Sequence, residues 1–106
     1  MIKELTVQEL KEFIDSKKDF ELIDVRKPEE YEICHLDGKL IPMHEIPERH
    51  AEITKDKPVV VHCHHGGRSK KVIAWLQENF GHDNLYNLAG GIHAWSEEID
   101  NSVATY

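Results

Sequence analysis

The sequence predicts an α/β domain with a mainly parallel sheet, and three observations carry that prediction. Strand-like runs and helix-periodic segments alternate along the chain, the order expected when crossover helices join parallel strands. The runs FELIDV (20–25) and VVVHC (59–63) are largely apolar rather than alternating, as in strands covered on both faces. Glycines at 81 and at 90–91 fall where helices must stop or start.

Each element has a local cause. Thr6-Val7-Gln8-Glu9 sets a hydroxyl and a carboxylate three residues apart, the spacing of a capping box. Val7, Leu10, Phe13 and Ile14 follow at helical spacing, which predicts an amphipathic helix over 7–17. A mostly buried strand covers 20–25. Pro28 suits the first turn of a short helix, PEEYEIC, where its missing N–H would be unpaired anyway. Leu40-Ile41-Pro42 reads as a short strand, and Pro47 opens or interrupts a polar helix near 45–53. Lys57-Pro58 turns the chain into Val59–Cys63, the most convincing strand. Gly66-Gly67 ends it. A helix follows from about Ser69, with Val72, Ile73, Trp75, Leu76 and Phe80 as its apolar face and Gly81 as its stop. Leu85–Leu88 is another strand, and Ala89-Gly90-Gly91 turns into a last helix bearing Ile92, Trp95 and Ile99. Both tryptophans are assigned to the core. The tail DNSVATY is expected to be loose.

A chain of 106 residues fits one domain, 1–106, and is long enough to bury a core without staples. The net charge of -7 argues against nucleic acid or an anionic membrane as a general partner. It leaves room for a small anion at a local basic island. Two cysteines, Cys34 and Cys63, point to a reducing compartment rather than a disulfide-dense secreted domain. No apolar run approaches a membrane span, and MIKELTVQEL lacks the apolar centre of a signal peptide. A cytoplasmic location is expected.

Ligands of open parallel sheets bind beyond the carboxyl ends of strands, and Cys63 stands at such an end. The segment that follows, His64-His65-Gly66-Gly67-Arg68-Ser69, is rich in glycine and basic side chains. Two glycines allow it to curl. A curled loop entering a helix turns N–H groups inward and adds the positive end of the helix dipole. That field holds an anion and favours a thiolate, so the pKa of Cys63 is expected to be lowered. Such a thiolate attacks phosphorus, attacks sulfur or exchanges disulfides. Four residues separate Cys63 from Arg68, where cysteine phosphatases place five. The smaller loop suits the outer sulfur of a persulfide better than a tetrahedral phosphate.

The loop CHHGGRS resembles the active-site loop of the rhodanese-like sulfurtransferases. Leu22-Ile23-Asp24-Val25-Arg26 with Pro28-Glu29-Glu30-Tyr31 is similar to the family's upstream motif, and His35-Leu36-Asp37-Gly38 with Ile41-Pro42 to the stretch that follows it. Leu88-Ala89-Gly90-Gly91-Ile92-His93-Ala94-Trp95 resembles its C-terminal signature. These motifs span 22–95 in the family's order. The resemblance implies a rhodanese-like fold, a five-stranded mainly parallel sheet with helices on both faces. It implies that Cys63 takes a sulfane sulfur from thiosulfate or another persulfide, with the amides of 64–68 stabilising the charge, and passes it to an acceptor. Cyanide accepts in vitro, and a thiol or a protein in the cell. No metal or organic cofactor is required. Two alternatives stay open: a sulfur carrier in a relay, loaded by a protein partner without turnover, and a small-oxyanion phosphatase or reductase.

The remaining candidates carry plainer readings. Cys34 replaces the glycine that the family usually has before His35, and is read as a packed thiol. The run His62-Cys63-His64-His65 is not read as a metal site, because contiguous loop residues are expected to point apart. His62 and His82 are structural or exposed. Arg68 binds the substrate anion or braces the loop. Asp24 and Arg26 at most support the loop from behind, with Arg26 paired to Glu29 or Glu30.

Overall fold

The computed structural model describes residues 2–106. The elements run β1 (Lys3–Leu5), α1 (Val7–Asp15), β2 (Glu21–Asp24), α2 (Pro28–Ile33), β3 (Lys39–Leu40), α3 (Ile46–Arg49), β4 (Val59–His62), α4 (Gly67–Phe80), β5 (Leu85–Leu88) and α5 (Gly91–Glu98). The five strands form one sheet in the order β1-β5-β4-β2-β3, and every pairing is parallel. The α/β class and the five-stranded parallel sheet are therefore as expected.

Strand β4 lies at the centre and is buried along its length. Its side chains alternate between two cores, as the period of two requires. Val59, Val61 and Cys63 face a cluster with Ile46, Val72, Ile73 and Leu76, on the α3–α4 side. Val60 faces a second cluster with Val7, Leu10 and Trp95, on the α1–α5 side. Trp75 packs only at the margin of the first cluster.

The capping box forms as read. Thr6 Oγ1 accepts the Glu9 N–H at 3.1 Å, and Glu9 Oε1 accepts the Thr6 N–H at 2.9 Å. The helix ends two residues before 17, because Lys17 adopts a left-handed φ of 56°. The helix expected near 45–53 is split: only Ile46–Arg49 is α-helical, flanked by 3-10 turns at 43–45 and 50–52. Helix α4 begins at Gly67 rather than Ser69.

Two features lay outside the sequence reading. Strand β1 carries only one buried side chain, Leu5, so no apolar run announced it. It is held by backbone pairing of Lys3, Glu4 and Leu5 with Tyr86, Asn87 and Leu88. The tail expected to be loose is tied down: Ser96 Oγ donates to the Val103 carbonyl, and the Tyr106 hydroxyl donates to Glu30 at 2.8 Å. Among the described residues, no helix is long and apolar enough to cross a membrane.

Candidate active site

Cys63 follows the last residue of β4, four residues before α4 begins, so the loop bridges the central strand and the N-terminus of the longest helix. Its thiol is 1% exposed. The Gly66 N–H donates to Sγ at 3.1 Å, and the Ser69 hydroxyl lies 3.4 Å away. Burial pushes the thiol's pKa up. The Ser69 hydroxyl and the N–H groups of Ser69, Gly66 and Arg68 outweigh that, so the net shift is downward. The donors thus come from the later part of the loop and the first turn of α4, not evenly from 64–68.

Only one of the two loop glycines supplies special backbone. Gly66 has φ +110°, which L side chains rarely adopt, whereas Gly67 lies in ordinary backbone with open space around it. The decisive glycine is Gly91, at φ +62°. A Cβ there would meet the carbonyl oxygens of His64 and Cys63 at 2.4 and 2.5 Å. That approach lets the Ile92 and His93 N–H groups donate to the Cys63 and His64 carbonyls at 3.0 and 3.1 Å. Helix α5 thereby holds the loop from behind.

A polar chain that no motif signalled extends from the thiol. Ser69 is fully buried, and its hydroxyl reaches Asn87 Oδ1 as well as the Gly66 carbonyl at 3.2 Å. Asn87 Nδ2 donates to Glu4 Oε2 at 3.0 Å. Ser69 has one proton for Sγ, the Gly66 carbonyl and Asn87. When Cys63 is a thiolate, that proton turns to sulfur, as charge-assisted bonds are the stronger.

A second network braces the loop from the α2 side. Arg68 donates to Glu30 with both terminal nitrogens, at 2.6 and 2.9 Å. The Arg68 bonds, ahead of an opposing effect of burial, lower the Glu30 carboxyl to about 2. Arg26 does not pair with Glu29 or with the Glu30 carboxylate as expected. It is fully buried against Asp24, with Nη2 to Oδ2 at 2.6 Å. Its other donors reach the Cys34 carbonyl at 2.8 Å, the Glu30 carbonyl at 3.3 Å and the Tyr106 hydroxyl at 3.0 Å. The charged fork needs this geometry, because it follows a strand end into the sheet rather than pointing to solvent.

A pH prediction arises here. Glu30 has a folded pKa below its ordinary 4.5, so its contribution to stability is complete above that value and is lost as pH falls toward about 2. Glu30→Gln is expected to flatten the wild type's loss of stability within this window, read as urea midpoint against pH. An unchanged acid limb would show that the pair adds nothing.

Cys34 is 9% exposed, with Sγ 3.9 Å from Arg26 Nη1, and neither cysteine is in a disulfide. Its φ of -164° is extended backbone that any residue adopts, so the absence of the usual glycine costs no strain. His62 is fully buried beside Asp24, with neither ring nitrogen bonded, and burial lowers its pKa to about 4. His82 is buried as well. His64 and His65 do not point apart as expected: their ring centroids are 4.0 Å apart. Beside Arg68 a cleft of 390 Å³ opens between Val25, Lys27, Pro42, Met43 and His44. It carries positive charge next to apolar surface.

Fold and site together define a parallel α/β domain with a buried, donor-stabilised thiol at the carboxyl end of its central strand. The rhodanese-like domain family matches residues 6–98, and the chain belongs to that family. A sulfurtransferase of Allochromatium vinosum is 37% identical, over 91% of this chain and 90% of its own. The rhodanese-like/PpiC domain-containing protein 12 of Arabidopsis thaliana chloroplasts is also 37% identical over 99% of this chain, which spans only 38% of that relative. The crystal structure of a rhodanese-like domain protein from Staphylococcus aureus superposes with a TM-score of 0.83 at 34% identity, covering 99% of both chains.

Proposed function

We propose that the protein is a sulfurtransferase in which Cys63 carries the sulfur. The observation that carries this reading is the Cys63 sulfur itself, lying 3.1 Å from the Gly66 N–H at the entrance to α4. The family membership and the sulfurtransferase relative support it.

The Cys63 thiolate attacks the outer sulfur of thiosulfate or of a low-molecular-weight persulfide. A sulfur–sulfur bond forms as the donor's own sulfur–sulfur bond breaks, and sulfite or a thiolate departs with the electron pair. Cys63 then bears a terminal sulfur whose negative charge is stabilised by the N–H groups of Gly66, Arg68 and Ser69 that already face the Cys63 sulfur. An acceptor nucleophile, a thiol or protein in the cell and cyanide in a test tube, attacks the terminal sulfur, and the Cys63 thiolate leaves. Each step exchanges one sulfur bond for another and needs no outside oxidant. Arg68 acts by holding the loop to Glu30. Asp24 and Arg26 hold the strand end beneath it. The cleft beside Arg68 receives the anionic donor. The reducing cytoplasm suits two free thiols.

One observation favours a second reading. A thiol only 1% exposed suits a carrier loaded by a docked protein partner better than a broad small-molecule enzyme. Steady-state turnover with thiosulfate and cyanide separates the two: multiple turnovers support the enzyme, and a persulfide without turnover supports the carrier. In the same assay Cys34→Ser is expected to retain most of the wild-type rate, because its Sγ makes only a long contact with Arg26. A collapse of turnover in a folded Cys34→Ser would instead place Cys34 in the reaction.

A further inference from the structure

We propose that His64, His65 and His93 form a binding site for one borderline divalent metal ion of the zinc class, on the outer side of the Cys63 loop. The proposal does not depend on the sulfur chemistry. One ligand nitrogen from each histidine lies within 4.8 Å of the other two. Two of these residues come from the loop and the third from the first turn of α5. The Ile92 and His93 N–H bonds to the Cys63 and His64 carbonyls bring them together. Contiguity had counted against a metal at 62–65; the missing member stands nearly thirty residues further on, and His62 takes no part.

The state of the ring nitrogens points to a ligand. His64 Nε2 and His93 Nδ1 are buried and have no hydrogen-bond partner. Buried polar atoms without partners are rare and costly, and each calls for an explanation. At His93 the other nitrogen, Nε2, lies 3.2 Å from Glu97 Oε1, one helical turn along α5. A carboxylate behind a histidine fixes the proton on the nitrogen it faces and leaves the opposite lone pair for a metal. Nδ1 is the orphaned atom, as that arrangement requires. The His64 ring is in turn fixed in plane by Tyr106, stacked at 3.9 Å and 6°.

Imidazole donors favour zinc, copper(II) and nickel over magnesium or calcium. Nitrogens at roughly 2.0–2.1 Å from a tetrahedral zinc must draw closer than 4.8 Å to one another. His65 is exposed, so its ring can turn toward the other two, and small ring rotations of His64 and His93 complete the closure. Three protein ligands leave one position open to water or another exchangeable donor.

The test is calorimetric titration of tag-free, metal-stripped protein with Zn²⁺, followed by the visible spectrum with Co²⁺. One ion per chain is expected, in the wild type and in Cys63→Ser alike, and the Co²⁺ complex should lack a thiolate charge-transfer band. His93→Gln and His65→Gln should each weaken binding by tenfold or more, and Glu97→Gln by about 10–100-fold. His65 is exposed, so its variant keeps the test decisive even if His93→Gln impairs folding; circular dichroism checks each variant. No stoichiometric binding, binding unchanged in folded His93→Gln and His65→Gln, or binding lost in Cys63→Ser would each overturn the proposal.

Discussion

Asp24→Ala is expected to destabilise the protein by about 3–5 kcal/mol, a large share of the roughly 5–15 kcal/mol that keeps a domain folded. Both partners of the Asp24–Arg26 pair are fully buried. Asp24 accepts from the Arg26 backbone N–H at 3.0 Å, from Nε at 2.9 Å and from Nη2 at 2.6 Å. Removing the carboxylate leaves a guanidinium out of water with its main acceptor gone. Burial alone opposes the charge on Arg26; the bonds to Asp24 and Tyr106 overcome it and raise its pKa. An apolar replacement of both partners has a different sign of consequence. Asp24→Leu combined with Arg26→Met removes the stranded charge, so the double variant should be markedly more stable than Asp24→Ala. Urea unfolding of the three proteins checks this. A cost under about 1 kcal/mol for Asp24→Ala would mean that water reaches Arg26 and that the pair behaves as an exposed one.

Cys63→Ser is expected to abolish sulfur transfer while leaving the fold intact. The hydroxyl occupies nearly the same place and still accepts the Gly66 N–H. It does not become a nucleophile, because the site favours an anion already formed and holds no base against Sγ. The nearest buried imidazole by sequence, His62, lies beside Asp24 and is kept neutral by burial, and the partners of Cys63 Sγ are Gly66 and Ser69 instead. Hydrogen-bond donors push the pKa of a thiol down toward the thiolate form; they do not ionise an aliphatic hydroxyl. Turnover should therefore fall to the rate without protein, with an unchanged thermal midpoint. Retained transfer by a folded Cys63→Ser would remove Cys63 from the mechanism.

The sequence made the frame of this site legible because its causes are local. Val59 to Val61 announce a buried strand, Gly66 permits the turn, and the apolar face from Val72 to Leu76 announces the helix that follows. Cys63 is placed by those three facts. What escaped the reading depends on contacts between distant residues. Strand β1 exists through pairing with β5 and buries only Leu5. Asn87 looks like an ordinary strand residue until Ser69 and Glu4 meet it across the sheet. Tyr106 belongs to a tail with no periodic signal, and only Glu30, Arg26 and His64 give it a fixed place. Arg26 and Arg68 were recognisable as cations, but their partners could not be assigned from spacing. The choice of Asp24 over Glu29 or Glu30 for Arg26 is decided by the depth of the strand end.

If Cys63 holds transferred sulfur covalently, the added atom is visible in the intact mass of the protein. The protein is incubated briefly with thiosulfate, and in parallel with glutathione persulfide, then measured before and after cyanide. The expected result is a gain of one sulfur atom that maps to Cys63, protects that thiol from alkylation and disappears with cyanide. No gain with either donor in folded protein, or a gain that maps to Cys34 instead, would contradict it.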